Sequence, residues 1–180
     1  AILVYVPSFW VRHIMSKHSK EIAELPGTGG ELAKHLIERF ELTGITVEEA
    51  APNTDHFDPC GPVVRLSPDN FNGRSLTAVA VAAHEVGHAM QFHRGEKIFE
   101  LRKRYLPLAT RLNRVGVVIM MTIPFIALLI RMPLVIGGVI AVSLLLQLAG
   151  AFAYLIILPE EWDASFNKAL PVLIEGEYIE

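Results

Sequence analysis

Cysteine occurs once, as Cys60, in a chain of 180 residues. No intrachain disulfide is therefore available, and the pattern suits a reducing compartment. Charge is also scarce. Only 19% of residues are Asp, Glu, Lys or Arg, against about a quarter in an ordinary soluble domain. The balance is slightly acidic, with a net charge of −3 and a pI near 6.2, which argues against nucleic acid as a partner. Internal repeats and low-complexity segments are missing. What is abundant is apolar residues, at 52% with a mean hydropathy of +0.39, and they are unevenly distributed.

The first eleven residues, "AILVYVPSFWV", are uncharged, and Arg12, Lys17 and Lys20 follow them. Eleven residues cannot span a bilayer, which needs about 20. The segment 1–20 reads as the end of a membrane helix plus its juxtamembrane stretch, in a chain trimmed at both ends. Residues 21–112 read as a water-soluble catalytic domain. Within it, "TGGELAKHLIERFELTG" predicts an amphipathic helix capped at Thr28 and closed by Gly44. "ITVEEA" and "PVVRLS" have strand character, and "PNTDHFDPCG" between them is rich in turn formers. A longer helix is predicted from about Ser75 to Phe92, then a basic one with five Arg or Lys between Arg102 and Arg114.

Residues 113–158 differ in kind. The runs 115–130 and 132–158 carry no charge, and Arg131 alone separates them. The second run reaches about 40 Å as a helix, enough to cross a bilayer; the first reaches roughly 24 Å and needs extra length from the residues before it. Together they predict a transmembrane helical hairpin with Arg131 at its tip. Both of its ends then emerge on one side, with Arg102, Lys103, Arg104, Arg111 and Arg114, and the positive-inside rule places that side in the cytoplasm. Residues 159–180 follow as a return helix of the catalytic domain.

The stretch "AVAAHEVGHAMQ" contains His84, Glu85 and His88 in the spacing H-E-x-x-H. Four residues apart on a helix, the two imidazoles lie on one face and can reach one metal ion. Glu85 sits one step round the helix, where it can serve as general base for a water activated by zinc. Ala78, Ala80, Ala82, Ala83 and Ala89 surround the motif with small side chains suited to a packed core.

Two histidines do not complete a zinc site. The pattern H-E-x-x-H-x-x-G-x-x-H fails, because Gln91 and Arg94 stand where glycine and histidine are needed. A carboxylate on a later helix is the next option, and "LPEEWDASFNKAL" offers Glu160, Glu161 and Asp163. His56 in "DHFDP" is a further candidate. Cys60 in "DPCG" reads as a lone loop cysteine.

"DHFDP…VVRLS", "NGRSLTAVAVAAHEVGHAMQ" and "LPEEWDAS" after an apolar hairpin resemble the bacterial membrane-bound neutral zinc metallopeptidases of the YugP type, which are distantly similar to HtpX-like membrane proteases. The resemblance covers about residues 26–170. It implies one zinc ion held by His84, His88 and Glu161, with Glu85 as catalytic base. Against the related pattern E-[FY]-x-A-D, Trp162 takes the aromatic position and Ala164 the alanine, while Ser165 replaces the aspartate. Whether Asp163 substitutes for that aspartate is open.

The expected fold is α+β: a mainly helical, zincin-like (gluzincin) catalytic domain with a small β-hairpin or sheet, plus the membrane hairpin. The expected function is a membrane-anchored zinc endopeptidase acting on protein or peptide substrates at the cytoplasmic face of the bilayer. "PVVRLS" would be the edge strand that pairs with an extended substrate. Two alternatives stand beside it. A zinc-binding adaptor without catalysis has no use for Glu85. A site-2-type intramembrane protease would place the motif in a membrane helix, yet the apolar run before His84 is short and flanked by charge, and no Leu-Asp-Gly motif follows.

Overall fold

The computed structural model describes residues 2–130 and 132–176, with side chains from residue 9 onward. Arg131, the expected hairpin tip, lies outside the described residues. The order of elements is α1 (Ile2–Lys17), α2 (Gly29–Arg39), β1 (Thr46–Glu49), β2 (His56–Asp58), β3 (Val63–Leu66), α3 (Pro68–Phe71), α4 (Leu76–His93), α5 (Lys97–Leu129), α6 (Pro133–Trp162), a π-helical segment (Asp163–Ala169) and α7 (Leu170–Glu175). Helix dominates, with a small sheet, as the α+β expectation has it. The chain divides into two units. One comprises the residues up to Glu96 and those from Trp162 onward; the other is Lys97–Glu161.

In the first unit, α2 starts with a reciprocal cap. The Thr28 hydroxyl accepts from the Glu31 N–H at 3.2 Å, and the Glu31 carboxylate accepts from the Thr28 N–H at 2.8 Å. Both donors would otherwise be orphaned at the helix start. Leu32, Ala33 and Leu36 form the buried stripe, which packs on α4. The helix stops earlier than Gly44. Phe40 caps it, Glu41 turns the chain at φ 53°, and Gly44 at φ 81° serves the turn into β1.

The sheet corrects one expectation. Its order is β1-β3-β2, with β1 parallel and β2 antiparallel to β3. The "PVVRLS" strand is therefore the interior one, and its backbone is paired on both sides. It cannot accept a substrate strand; the edges are β1 and β2. The cause is β2, which comes from the expected loop. Its three residues lie among turn formers and have no periodicity to announce them; only pairing of Phe57 opposite Val64 makes them a strand. Val63, Val64 and Leu66 are all buried, as suits a central strand. Arg65 ties both neighbours to it, through Asp58 at 2.6 Å and Glu48 at 3.6 Å. The Arg65 guanidinium holds the Asp58 carboxyl below its usual range.

In the second unit, α5 is one helix of 33 residues that runs through Pro107 and Pro124. The basic stretch and the first apolar run are thus continuous, which supplies the missing length: roughly 50 Å in all. Two helical runs, Lys97–Leu129 and Pro133–Glu175, are long and apolar enough to cross a membrane. Met121, Phe125, Leu128, Leu129 and Leu134 are each at least 70% exposed. An exposed apolar surface of that extent marks a protein or membrane interaction site. Helices α5 and α6 meet through small residues. The Ser143 hydroxyl donates to the Gly116 carbonyl at 2.8 Å, and the Gln147 amide donates to Ser143 at 3.2 Å. Close approach at small residues and interhelical hydrogen bonds are also the means by which membrane helices associate.

Candidate metal centre

Helix α4 forms because its sequence is rich in alanine, the strongest helix former. The Ser75 hydroxyl caps its start by accepting from the Ala78 N–H at 3.1 Å. Gly95, at φ +60°, ends it, with its N–H on the Phe92 carbonyl and the Glu96 N–H on that of Gln91. Ala78, Ala82, Ala83, Val86, Ala89 and Met90 are buried along the helix.

His84 and His88 face each other on this helix, with their Nε2 atoms 3.1 Å apart. Their outer nitrogens are anchored. The Nδ1 of His88 lies 3.0 Å from the Gln91 Oε1. A carboxamide oxygen only accepts, so Nδ1 carries the proton and Nε2 keeps its lone pair. The Nδ1 of His84 lies 2.9 Å from the Ser165 hydroxyl. Two ring nitrogens 3.1 Å apart, each on an imidazole fixed from behind, suit a shared cation. His88 is 2% exposed and Glu85 8%, so both act away from bulk water.

The anchoring continues beyond Gln91. Its amide donates to Asp163 Oδ2 at 2.9 Å, and Asn167 donates to Asp163 Oδ1 at 2.9 Å. Lys168 also bonds Asp163, and bridges to Glu96 at 3.0 Å. Partial burial pushes the Asp163 carboxyl up, but the hydrogen bonds from Lys168, Gln91 and Asn167 outweigh it and hold it at about 2. Asp163 is thus a carboxylate at neutral pH and keeps Gln91 in the orientation that His88 needs. The π-helical segment makes this possible. Its i→i+5 bond, Leu170 N–H to Ser165 carbonyl, stacks residues five apart, which is how Lys168 reaches Asp163. Gly87 lets the segment approach α4; a Cβ there would stand 2.7 Å from the Ala164 carbonyl oxygen.

The sequence-predicted residues sort clearly. His84, Glu85 and His88 share α4. Among the described residues, the set that could hold a metal ion consists of His84, His88 and Glu161; Glu161 is two residues before Asp163 in the chain. Arg102 pairs with the carboxylates of Glu160, at 3.5 Å, and Glu161. Asp163 binds Gln91, Asn167 and Lys168. His56 lies on β2 with its Nδ1 2.7 Å from the Thr54 carbonyl, and Cys60 is exposed. Sequence reasoning missed Gln91, treated only as a mismatch. Its i+3 spacing from His88 was the available signal. Gln91→Leu is expected to weaken zinc binding about 10- to 100-fold, the usual effect of losing such a partner. Competition with a zinc-sensitive dye would measure it, and an unchanged affinity would remove Gln91 from the site.

Comparison with known proteins points to a zinc peptidase family. Residues 1–180 match the family described as "Putative neutral zinc metallopeptidase". The chain is 33% identical over 176 residues to the "Putative membrane protease YugP" of Bacillus subtilis (strain 168), covering 94% of this chain and 74% of that protein. No solved structure matches. The chain therefore belongs to the neutral zinc metallopeptidase family.

Proposed function

We propose that this protein is a membrane-anchored, zinc-dependent endopeptidase, with His84, His88 and Glu161 as metal ligands and Glu85 as general base. The observation that carries the reading is the pair of facing, back-anchored imidazoles on the helix that also bears Glu85. Zinc, when bound, polarises a scissile carbonyl and lowers the pKa of a water to about 7. Glu85 accepts the proton of the attacking water and returns it to the departing amine. Gln91 and Ser165 hold the two imidazoles in place. An extended substrate that added to the sheet would use an edge, and β2, which packs with α4, is the one beside the motif helix. The five basic residues between Arg102 and Arg114 favour the cytoplasmic side for the catalytic part.

Metal analysis of the purified protein should find about one zinc per chain. A chelator should remove it together with cleavage of an unfolded substrate such as casein. Absence of zinc would overturn the reading, and zinc without chelator-sensitive cleavage would favour the adaptor.

A further inference from the structure

Helix α4 and the π-helical segment do not stay in contact along their whole length. At Gly87 they nearly touch, backbone against backbone. Two turns earlier on α4 they leave a cleft of about 340 Å³. Leu76, Ala80 and His84, at i, i+4 and i+8 on one face of α4, form one wall; Phe166, Ala169 and Leu173 form the other. The His84 ring and Ser165 are the polar groups among the described lining residues, and no charged side chain lines it. The cleft is open because Ala80 and Ala169 are small. Ala80 is itself exposed, so a larger side chain there would project into the cleft without disturbing the buried face of α4.

We propose that this cleft receives a large aliphatic or aromatic side chain from the substrate residue flanking the scissile bond, and that Ala80 and Ala169 set the size it admits. The inference rests on the endopeptidase reading above. Its wall is continuous with the reactive centre, since the ring whose Nε2 faces His88 is also the inner end of the cleft. A chain positioned for attack beside His84 carries its neighbouring side chain directly to the opening. The apolar lining selects against charge, because an ionised group there would lose its hydration without a partner. The volume falls within the range of small-molecule sites and holds one large side chain.

The test uses the full-length, zinc-loaded protein in lipid nanodiscs, with cleavage sites in casein mapped by mass spectrometry. Wild type should show Leu, Ile, Met or Phe enriched at one position next to the cut. In Ala80→Leu, the preference for such residues over Gly or Ala at that position should fall roughly ten- to a hundredfold, the range that one side-chain increment commands in an apolar pocket. A second measurement avoids turnover: peptide hydroxamates bearing an isobutyl or a methyl side chain, compared by thermal shift. The isobutyl compound should stabilise wild type more, and Ala80→Leu should erase the difference. Chelator-sensitive cleavage without side-chain preference, or a preference unmoved by Ala80→Leu, would overturn the cleft assignment and leave the endopeptidase intact. A change in co-purified lipid with an unmoved preference would mean that an acyl chain occupies the cleft, and would likewise overturn the assignment alone. Neither cleavage nor hydroxamate binding in wild type would bring down both.

Discussion

Glu85→Gln is expected to lower kcat for peptide cleavage by about 10²–10⁴-fold while the protein keeps its zinc, since a positioned proton acceptor contributes that much. Glutamine has the size and most of the hydrogen-bonding capacity of glutamate, so the 8%-exposed site stays filled. What it loses is basicity. The two imidazoles keep their anchors on Ser165 and Gln91, so metal content and thermal midpoint should match wild type. Unchanged cleavage would exclude Glu85 from the mechanism. Loss of zinc together with activity would instead assign it to holding the site.

The second large effect concerns the proposed third ligand. Glu161→Ala is expected to weaken zinc binding by more than about 100-fold, beyond the range seen when only a supporting residue is lost. The neighbouring carboxylates provide the contrast. Asp163→Ala acts through Gln91 and His88, so its effect belongs in the 10- to 100-fold range. Glu160 is fully buried beside Arg102, and Glu160→Gln should reduce stability while leaving zinc affinity close to wild type. Affinity measured by dye competition and unfolding followed by circular dichroism would separate the three. If Glu160→Gln or Asp163→Ala matched Glu161→Ala in zinc affinity, the wrong carboxylate has been assigned.

Much of the unit that carries α4 is legible in the sequence itself. Thr28 and Glu31 announce their capping box by residue type and spacing. The H-E-x-x-H helix runs close to the expected Ser75–Phe92 bounds, and Ala78, Ala82, Ala83 and Ala89 lie on its buried face, while Ala80 does not. Less legible are the features set by partners distant in sequence. β2 is three residues long and exists because β3 pairs with it, and that same pairing moves β3 from the edge to the interior. Helix α5 runs unbroken through Pro107 and Pro124, although each proline removes a backbone donor. The role of Gln91 depends on Asp163, 72 residues away. No local pattern encodes such a pair.

The widened turn at Asp163–Ala169 has a consequence for how this region can vary. It acts as one extra residue in the helix, and an α-helix turns by about 100° per residue. Deleting a single residue there would let the segment close into ordinary α-helix with Leu170 and Leu173 still on the side of α4, because the wide turn already absorbs the surplus residue. What would be lost is the five-residue step that sets Lys168 beside Asp163. The same deletion in the regular helix on either side would rotate everything after it by about 100°. A change of count is thus absorbed within these seven residues and nowhere else along the helix, and what it removes is the support behind Gln91.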